Sequence, residues 1–205
     1  IYISKITEDM YESILQTIKS IKNTTTTVLV DYTDDILGSN FDDERIKIYD
    51  NELNRVLGGG LVPGSLILFS GEPGIGKSTL LLQAAARFSR LGLDVVYISG
   101  EEAVDQIRLR ASRLKLQDSP VKLAAETNLR NILTTLDSVR PNLAIIDSIQ
   151  TIWSDNVDSD PGSVSQVRVA SHELISFAKT RNISIILVGH VRKDLFLLVI
   201  DGIQS

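Results

Sequence analysis

The stretch Gly71-Glu72-Pro73-Gly74-Ile75-Gly76-Lys77-Ser78-Thr79 decides the fold, because it fits G-x-x-x-x-G-K-[ST], the pattern of a phosphate-binding loop. Residues 65–70 before it are typical of a short apolar strand, and residues 80–86 after it are typical of a helix. The glycines let the main chain approach a polyphosphate, and the helix N-terminus favours its negative charge. Lys77 is predicted to reach the β- and γ-phosphates, and Ser78 to bind Mg²⁺. All nine residues are therefore candidate ligands of a nucleoside triphosphate.

The bulk properties of the chain exclude several other classes of protein. Its 205 residues suit one α/β domain with some excess, and it has no cysteine, which excludes disulfides and cysteine-ligated zinc within it. No apolar run approaches the roughly 20 residues that a membrane span needs, so we expect no membrane partner. The lack of cysteine fits a reducing cytosol, and we expect a cytoplasmic protein. The chain starts without Met or a secretory pattern, so we expect a fragment of a longer protein.

The net charge of −5 argues against nucleic-acid binding, but the distribution of charge weakens that argument. Six acidic residues lie in a stretch without Lys or Arg: Asp31, Asp34, Asp35, Asp42, Asp43 and Glu44. Without these six, the remainder of the chain has a net charge of +1. Local patches of charge, rather than the net charge of the chain, will therefore determine whether it binds nucleic acid.

Strand and helix patterns alternate from position 45 onward, which is the order of βαβ units. Strands are predicted at 65–70, 94–99, 121–123, 143–146 and 183–188, and helices at 77–91, 103–114, 128–139 and from Ser163, as its cap, to about 180. We expect an α/β fold with a mostly parallel central sheet and helices on both faces. The predicted divisions are a divergent N-terminal segment with an amphipathic helix and acidic linker, 1–44, a core, 45–194, and a truncated C-terminal tail, 195–205.

Acidic side chains follow two of the predicted strands, at the edge of a parallel sheet where ligands bind. Asp147 follows a buried strand, and in phosphate-loop enzymes an acid here orients Mg²⁺ opposite the hydroxyl of Ser78. Its alternative role is to start a turn or cap a helix. Glu101 follows another strand and is a candidate general base for the attacking water. Glu102 is assigned to the opening of the next helix, which is also the alternative for Glu101.

Further polar side chains follow the last predicted strand and fill the loop before the long helix. His190 is a candidate sensor of the γ-phosphate, with a structural role as an equal alternative. In the loop 159–168, serines, Gln166 and Arg168 are candidates for contact with DNA phosphates, although a solvated loop explains them equally well. Trp153 is a candidate for stacking on a base, against the more usual packing role of a single Trp.

Several longer strings carry a resemblance to a known family: residues 52–65, 71–83, 99–102, 126–129, 146–151, 161–168 and 189–191. Asp-Ser-Ile-Gln-Thr at 147–151 and Pro-Gly-Ser-Val-Ser-Gln-Val-Arg at 161–168 are much more specific than the phosphate loop alone. On these strings, residues 45–194 resemble the ATPase core of the bacterial RadA/Sms DNA repair family, relatives of RecA.

The resemblance implies a RecA-like P-loop fold and an ATP- and Mg²⁺-dependent motor. That motor would act on single-stranded or branched DNA in recombinational repair, as a homo-oligomeric, hexameric ring when full length. By similarity, Lys77 and Glu101 are catalytic and His190 matches the γ-phosphate sensor. Arg108 matches the position that flanks adenine, on which its guanidinium would stack.

The same resemblance implies two DNA-binding loops. Residues 153–168 match the first loop, which includes Arg168, and the second loop begins at Arg192 and Lys193.

Three features depart from the family. Residues 1–44 lack its four-cysteine zinc module. The family continues His-Val-Thr-Lys into a glycine-bearing loop, whereas here Val191-Arg192-Lys193-Asp194 runs into the apolar residues 195–200. The Lys-Asn-Arg-Phe-Gly motif and the protease-like domain are missing. Because that motif is expected to bring charge to the reacting phosphate, we expect ATP binding with slow hydrolysis.

Two other classes of function remain open at the level of sequence. One is a regulatory nucleotide switch, similar to KaiC-type relatives, which share the approach at 58–60 and the phosphate loop. The other is a degenerate fragment that only binds nucleotide. The ATPase predicts stimulation by single-stranded DNA, whereas the switch predicts nucleotide-driven oligomerisation without it.

Overall fold

The structure, a computed structural model, describes residues 60–190, and of His190 it describes the backbone only. The chain divides into two compact units, Ile1–Val62 and Pro63–Ser205, and all the elements below belong to the second. The predicted N-terminal helix, the boundary at 44/45 and the tail from 195 lie outside the described residues. Those three assignments stay predictions.

Strands and helices alternate along the described chain, as the sequence predicts. The elements are β1 (Leu66–Gly71), α1 (Lys77–Arg90), β2 (Val95–Ser99), α2 (Val104–Arg113), β3 (Lys122–Ala125), α3 (Leu129–Val139), β4 (Leu143–Asp147), a 3₁₀ turn (Ile149–Thr151), α4 (Val164–Arg181) and β5 (Ser184–His190). Each predicted element from position 65 onward is confirmed within two residues at either end. The 3₁₀ turn was not predicted.

The five strands form one parallel sheet in the order β1-β5-β4-β2-β3. Parallel strands bring their carboxyl ends to one edge of a sheet, so Gly71, Ser99, Asp147 and His190 all end there. β5 lies between β1, which leads into the phosphate loop, and β4, which ends at Asp147. The predicted α/β class with a mostly parallel sheet is confirmed.

Both faces of the sheet are covered by helices, because successive strand side chains point to opposite faces and both sets are apolar. Leu68 of β1 and Ile146 of β4 belong to a buried cluster with residues of α3 and α4. On the opposite face, α1 packs against β1, β2 and β4 and buries Leu81, Leu82 and Ala85. Full burial of each such Leu or Ile contributes about 1.5–3 kcal/mol. The predicted coverage of both faces is confirmed.

Two helices begin at residues whose side chains satisfy the first free backbone N–H groups. Asn128 Oδ1 accepts hydrogen bonds from the N–H groups of Arg130 and Asn131 at the start of α3. Ser163 Oγ accepts from the Gln166 N–H at the start of α4, which confirms its prediction as a cap. These two caps therefore set the residues at which α3 and α4 begin after the preceding loops.

Candidate functional site

The phosphate-loop stretch joins β1 to α1 as an open, exposed turn. Gly74 and Gly76 have φ angles of +80° and +93°, which L side chains rarely adopt. Apart from the adjoining residues of the loop, no atom of the described part of the chain lies within 4 Å of where a Cβ would stand on either glycine, so space is open beside the main chain. Helix α1 begins at Lys77, directly after Gly76. An anion in this space would meet main-chain N–H groups and the positive end of α1.

Lys77 lies over this loop with only 5% of its surface exposed. Its Nζ donates hydrogen bonds to the carbonyl oxygens of Gly71 and Glu72, both at 2.8 Å. Burial lowers the pKa of Lys77, against the attraction of the Asp147 and Glu101 carboxylates, which raise it. The site therefore holds a buried lysine within electrostatic reach of two acids, one at the end of β4 and one just after β2.

Asp147 ends β4 with 5% of its surface exposed. Its Oδ2 accepts a hydrogen bond of 2.6 Å from the hydroxyl of Tyr97, a residue in the middle of β2. In the pairing of β2 with β4, Tyr97 lies beside Ile145 and Ser99 beside Asp147. The side chains of Tyr97, Ser99 and Asp147 therefore share one face of the sheet.

Glu101 and Glu102 lie in the turn after β2, and the structure gives them different partners. Their backbone N–H groups both donate to Ser99 Oγ, at 3.2 and 2.9 Å. Glu101 Oε1 accepts a hydrogen bond of 2.7 Å from Ser148 Oγ, the residue after Asp147. Glu102 forms an ion pair of 2.8 Å with Arg110 on α2. Glu101 is thus the acid that contacts the end of β4.

The other two residues predicted to contact the nucleotide are His190 and Arg108. The backbone of His190 pairs with Gly71, so β5 ends beside the first residue of the phosphate loop. Arg108 is exposed on α2 and forms an ion pair of 3.0 Å with Asp105. Contact of either residue with a nucleotide stays a prediction.

The residues at this edge fit a magnesium nucleotide. Gly74 and Gly76 leave an open main-chain cradle for anionic oxygens, and Lys77 supplies the buried positive charge. Ser78 and Asp147 supply hydroxyl and carboxylate oxygens, the donors that Mg²⁺ takes when substrate phosphates complete its shell. The donor set fits a hard cation held by few protein ligands.

Comparison with known proteins gives the family. The family model described as "AAA domain" matches residues 35–195. The chain belongs to the AAA domain family. Proteins named "DNA repair protein RadA" match it from Brucella abortus (56% identical over 149 residues, 70% of this chain and 32% of the relative), Streptococcus pneumoniae (53% over 150 residues, 73% and 36%) and Bacillus subtilis (48% over 153 residues, 75% and 33%). The predicted membership of the RadA family is confirmed.

The chain spans about a third of the length of these RadA relatives. A solved structure of the flagellar accessory protein FlaH from Methanocaldococcus jannaschii has the same fold, with a TM-score of 0.56 and 18% identity over 78% of this chain and 76% of FlaH. The RecA-like P-loop class of fold is confirmed. No helix among residues 60–190 has the length and apolarity needed to cross a membrane.

The RadA-like string at 161–168 contains a glutamine with an unexpected role. Gln166 is 2% exposed, and its amide oxygen accepts from the Ser154 N–H at 2.8 Å. Its amide nitrogen donates to the carbonyl oxygens of Ser154, Val157 and Ser159, at 3.0 to 3.2 Å. The prediction that Gln166 contacts DNA phosphates is wrong, because all these bonds bind it to the preceding loop. Gln166 instead gives that loop its shape.

The remaining residues predicted to contact DNA fall into two groups. The half-buried Trp153 donates from its indole N–H to Thr127 Oγ1 at 3.2 Å and from its backbone N–H to the Thr127 carbonyl at 2.9 Å. The structure thus favours its packing alternative. Arg168 is exposed on α4, where a phosphate could reach it. Arg192 and Lys193 lie outside the described residues.

Gly100 allows the end of β2 to contact the 3₁₀ turn that follows Asp147. An added Cβ would overlap the Thr151 hydroxyl oxygen and lie 2.8 Å from Thr151 Cβ. Thr151 has little freedom to withdraw, since its hydroxyl donates to the Ser148 carbonyl at 2.8 Å.

We expect Gly100→Ala to lower the free energy of unfolding by about 1–3 kcal/mol, as overpacking does, measured by urea denaturation. The double variant with Thr151→Ala should recover part of the loss; a fully stable single variant would contradict this packing.

Proposed function

We propose that this chain is the core of an ATP hydrolase that acts in DNA repair. The observation that carries the proposal is the position of Lys77, buried over the phosphate loop within the electrostatic reach of Asp147 and Glu101. Such a group of one buried cation and two acids suits the binding and hydrolysis of a triphosphate. The RadA relatives support repair as the process, because they are named as DNA repair proteins.

We propose that the main-chain N–H groups of the loop and Lys77 hold the phosphates. In the structure the Lys77 ammonium donates to the Gly71 and Glu72 carbonyls, which places it at the loop. A hydrogen bond from this ammonium to a phosphate oxygen would join two charged groups, and such bonds are among the strongest in proteins. Arg108, exposed on the adjacent helix, is the proposed partner of the adenine ring.

Ser78 and Asp147 are the proposed holders of Mg²⁺. When bound, Mg²⁺ neutralises charge on the β- and γ-phosphates and favours transfer of the terminal phosphoryl group. The protein's own contribution is to hold the Asp147 carboxylate in the correct orientation. Its place at the end of a strand paired on both sides makes that position rigid.

Glu101 is the proposed general base for the attacking water. Its carboxylate is exposed, so water can reach it, and one oxygen is bonded to the Ser148 hydroxyl. A carboxylate that water can reach in this position is suited to accept a proton from the attacking water. His190, whose backbone pairs with Gly71, is the proposed sensor of the γ-phosphate.

We propose single-stranded or branched DNA as the partner, contacted by Arg168, Arg192 and Lys193 in a homo-oligomeric ring. Arg168 follows the loop that Gln166 shapes, which would give a DNA strand a defined surface. We also propose slow turnover by the 205 residues alone, because their sequence does not contain the Lys-Asn-Arg-Phe-Gly motif.

An ATPase assay with and without single-stranded DNA tests the function. We expect slow but Mg²⁺-dependent phosphate release that rises when DNA is added. Arg168→Ala should weaken the binding of DNA whatever the sequence of the DNA. A plot of the logarithm of the binding constant against the logarithm of the salt concentration should become less steep by about 0.7, the value for one phosphate contact on single strands. Nucleotide-driven oligomerisation without DNA stimulation would favour the switch, and nucleotide binding without any turnover would favour a degenerate fragment.

Lys179→Ala provides the matched control, since Lys179 is exposed in the last turn of the same helix as Arg168. Its removal changes the net charge equally, at the far end of the helix. Equal losses of DNA affinity in the two variants would contradict a specific role for Arg168 and indicate only a general attraction to DNA.

A further inference from the structure

Tyr97 carries a hydroxyl group in the middle of a strand in which every other residue except Ser99 is apolar. It is fully buried, with 0% of its surface exposed, in the segment Val95–Ser99. A buried tyrosine hydroxyl needs a hydrogen-bond partner, since an unpaired one costs free energy. The partner here is Asp147 Oδ2, at 2.6 Å. The short distance is typical of a hydroxyl that donates to an ionised carboxylate.

The register of the sheet brings these two side chains together. Tyr97 pairs with Ile145, and Asp147 lies two residues further along the same strand, on the same face. Both strands lie inside the sheet, with β3 and β5 on their outer sides. The contact between Tyr97 and Asp147 is therefore held by two rigid elements and does not depend on a loop.

In this contact the Tyr97 hydroxyl donates, because the carboxylate oxygen only accepts. Both side chains are almost fully buried, with 0% of Tyr97 and 5% of Asp147 exposed, so little water competes for Oδ2. The hydrogen bond fixes the rotation of the carboxylate, and Oδ1 is the oxygen left for other ligands.

We propose that Tyr97 is a positioning residue for the metal-side acid: it holds Oδ2 of Asp147 so that Oδ1 is presented to Mg²⁺ or to a water of its shell. The inference rests on the proposed function, because it assumes that Asp147 serves Mg²⁺. It extends that function to a residue that does not itself contact the nucleotide. Partners of this kind orient metal ligands, and their loss typically lowers metal affinity 10- to 100-fold.

Tyr97→Phe tests the inference, because it removes the hydroxyl and keeps the ring. The measurement is the affinity of the 205-residue chain for a fluorescent ATP analogue, titrated with Mg²⁺ and repeated in EDTA. We expect the Mg²⁺ concentration at half-effect to rise about tenfold, the lower end of that range, with the affinity in EDTA unchanged. Ile145→Val is the matched control, since it alters the strand position paired with Tyr97 without touching the Asp147 carboxylate.

The outcomes separate this inference from the proposed function. In one outcome, the wild type binds the nucleotide in a Mg²⁺-dependent way, and a folded Tyr97→Phe chain needs the same Mg²⁺ concentration. That outcome overturns the inference alone. A wild-type chain whose nucleotide binding ignores Mg²⁺ overturns both the metal role and the inference. If Tyr97→Phe does not fold, ¹⁹F NMR of 3-fluorotyrosine placed at position 97 is decisive. Its resonance should shift when Mg²⁺ joins the nucleotide complex and should not shift in Asp147→Asn; an unmoved resonance in the wild type overturns the inference.

Discussion

Replacement of Lys77 by alanine is expected to lower the affinity for ATP by about 30-fold or more. The estimate follows from the cost of removing one partner of a buried, hydrogen-bonded charge pair, about 2–5 kcal/mol, at 1.4 kcal/mol for each tenfold in affinity. In the structure Lys77 is buried over the loop, and its ammonium donates to the Gly71 and Glu72 carbonyls. Isothermal titration calorimetry with a non-hydrolysable ATP analogue and Mg²⁺ measures the loss.

Lys179→Ala controls for the removal of one positive charge, because Lys179 is exposed and lies on α4 rather than at the loop. It should bind ATP as the wild type does. Circular dichroism must show that Lys77→Ala is folded, since the change also leaves the Gly71 and Glu72 carbonyls without their donor. A folded Lys77→Ala chain with unchanged affinity would remove the phosphate-loop assignment and with it the proposed function.

The elements of the fold were predictable from sequence because each one is specified locally. The apolar run Leu143–Ile146 before Asp147 indicates a buried parallel strand, and the glycine-rich turn before Lys77 indicates a strand-to-helix junction. Ser163 marks the start of α4 through a contact with a residue three positions away. Rules of hydrophobic periodicity and helix capping can detect such patterns, because each involves residues that are close in sequence.

The sequence did not predict the contacts that join different strands at the site. Tyr97 and Asp147 are 50 residues apart, and Ser148 and Glu101 are 47 residues apart. Only the order and register of the strands bring these side chains together, and neither can be derived from local patterns. In the sequence, Tyr97 is one more residue that favours a buried strand.

Gln166 was assigned to the surface for a related reason. A glutamine near the start of a helix is usually exposed, and its residue type does not reveal that a loop folds over it. Here the amide forms hydrogen bonds with four backbone groups of residues 154–159, and buried polar side chains generally have such partners. The RadA-like string was thus recognisable, while the role of one of its members was not.

Glu101→Gln is expected to retain ATP binding and to lower turnover by about 10²–10⁴-fold, the usual contribution of a general base. The amide keeps the shape of the side chain and still accepts the hydrogen bond from Ser148 Oγ, but it cannot take a proton from water. Because we propose slow turnover, a single-turnover assay with protein in excess over radiolabelled ATP is the suitable measurement. Affinity for the ATP analogue should remain within about twofold, since Glu101 has no proposed contact with the phosphates.

The neighbouring acid makes this experiment decisive. Glu102→Gln changes the same charge one residue away, but Glu102 is paired with Arg110 at 2.8 Å and does not contact the end of β4 in the structure. It should therefore keep turnover within a few-fold of the wild type, with a small loss of stability from the broken ion pair. A collapse of turnover in Glu102→Gln with normal turnover in Glu101→Gln would move the base to Glu102. The hydrogen bond from Ser148 Oγ to Glu101 would then serve only to hold the turn after β2 against the end of β4.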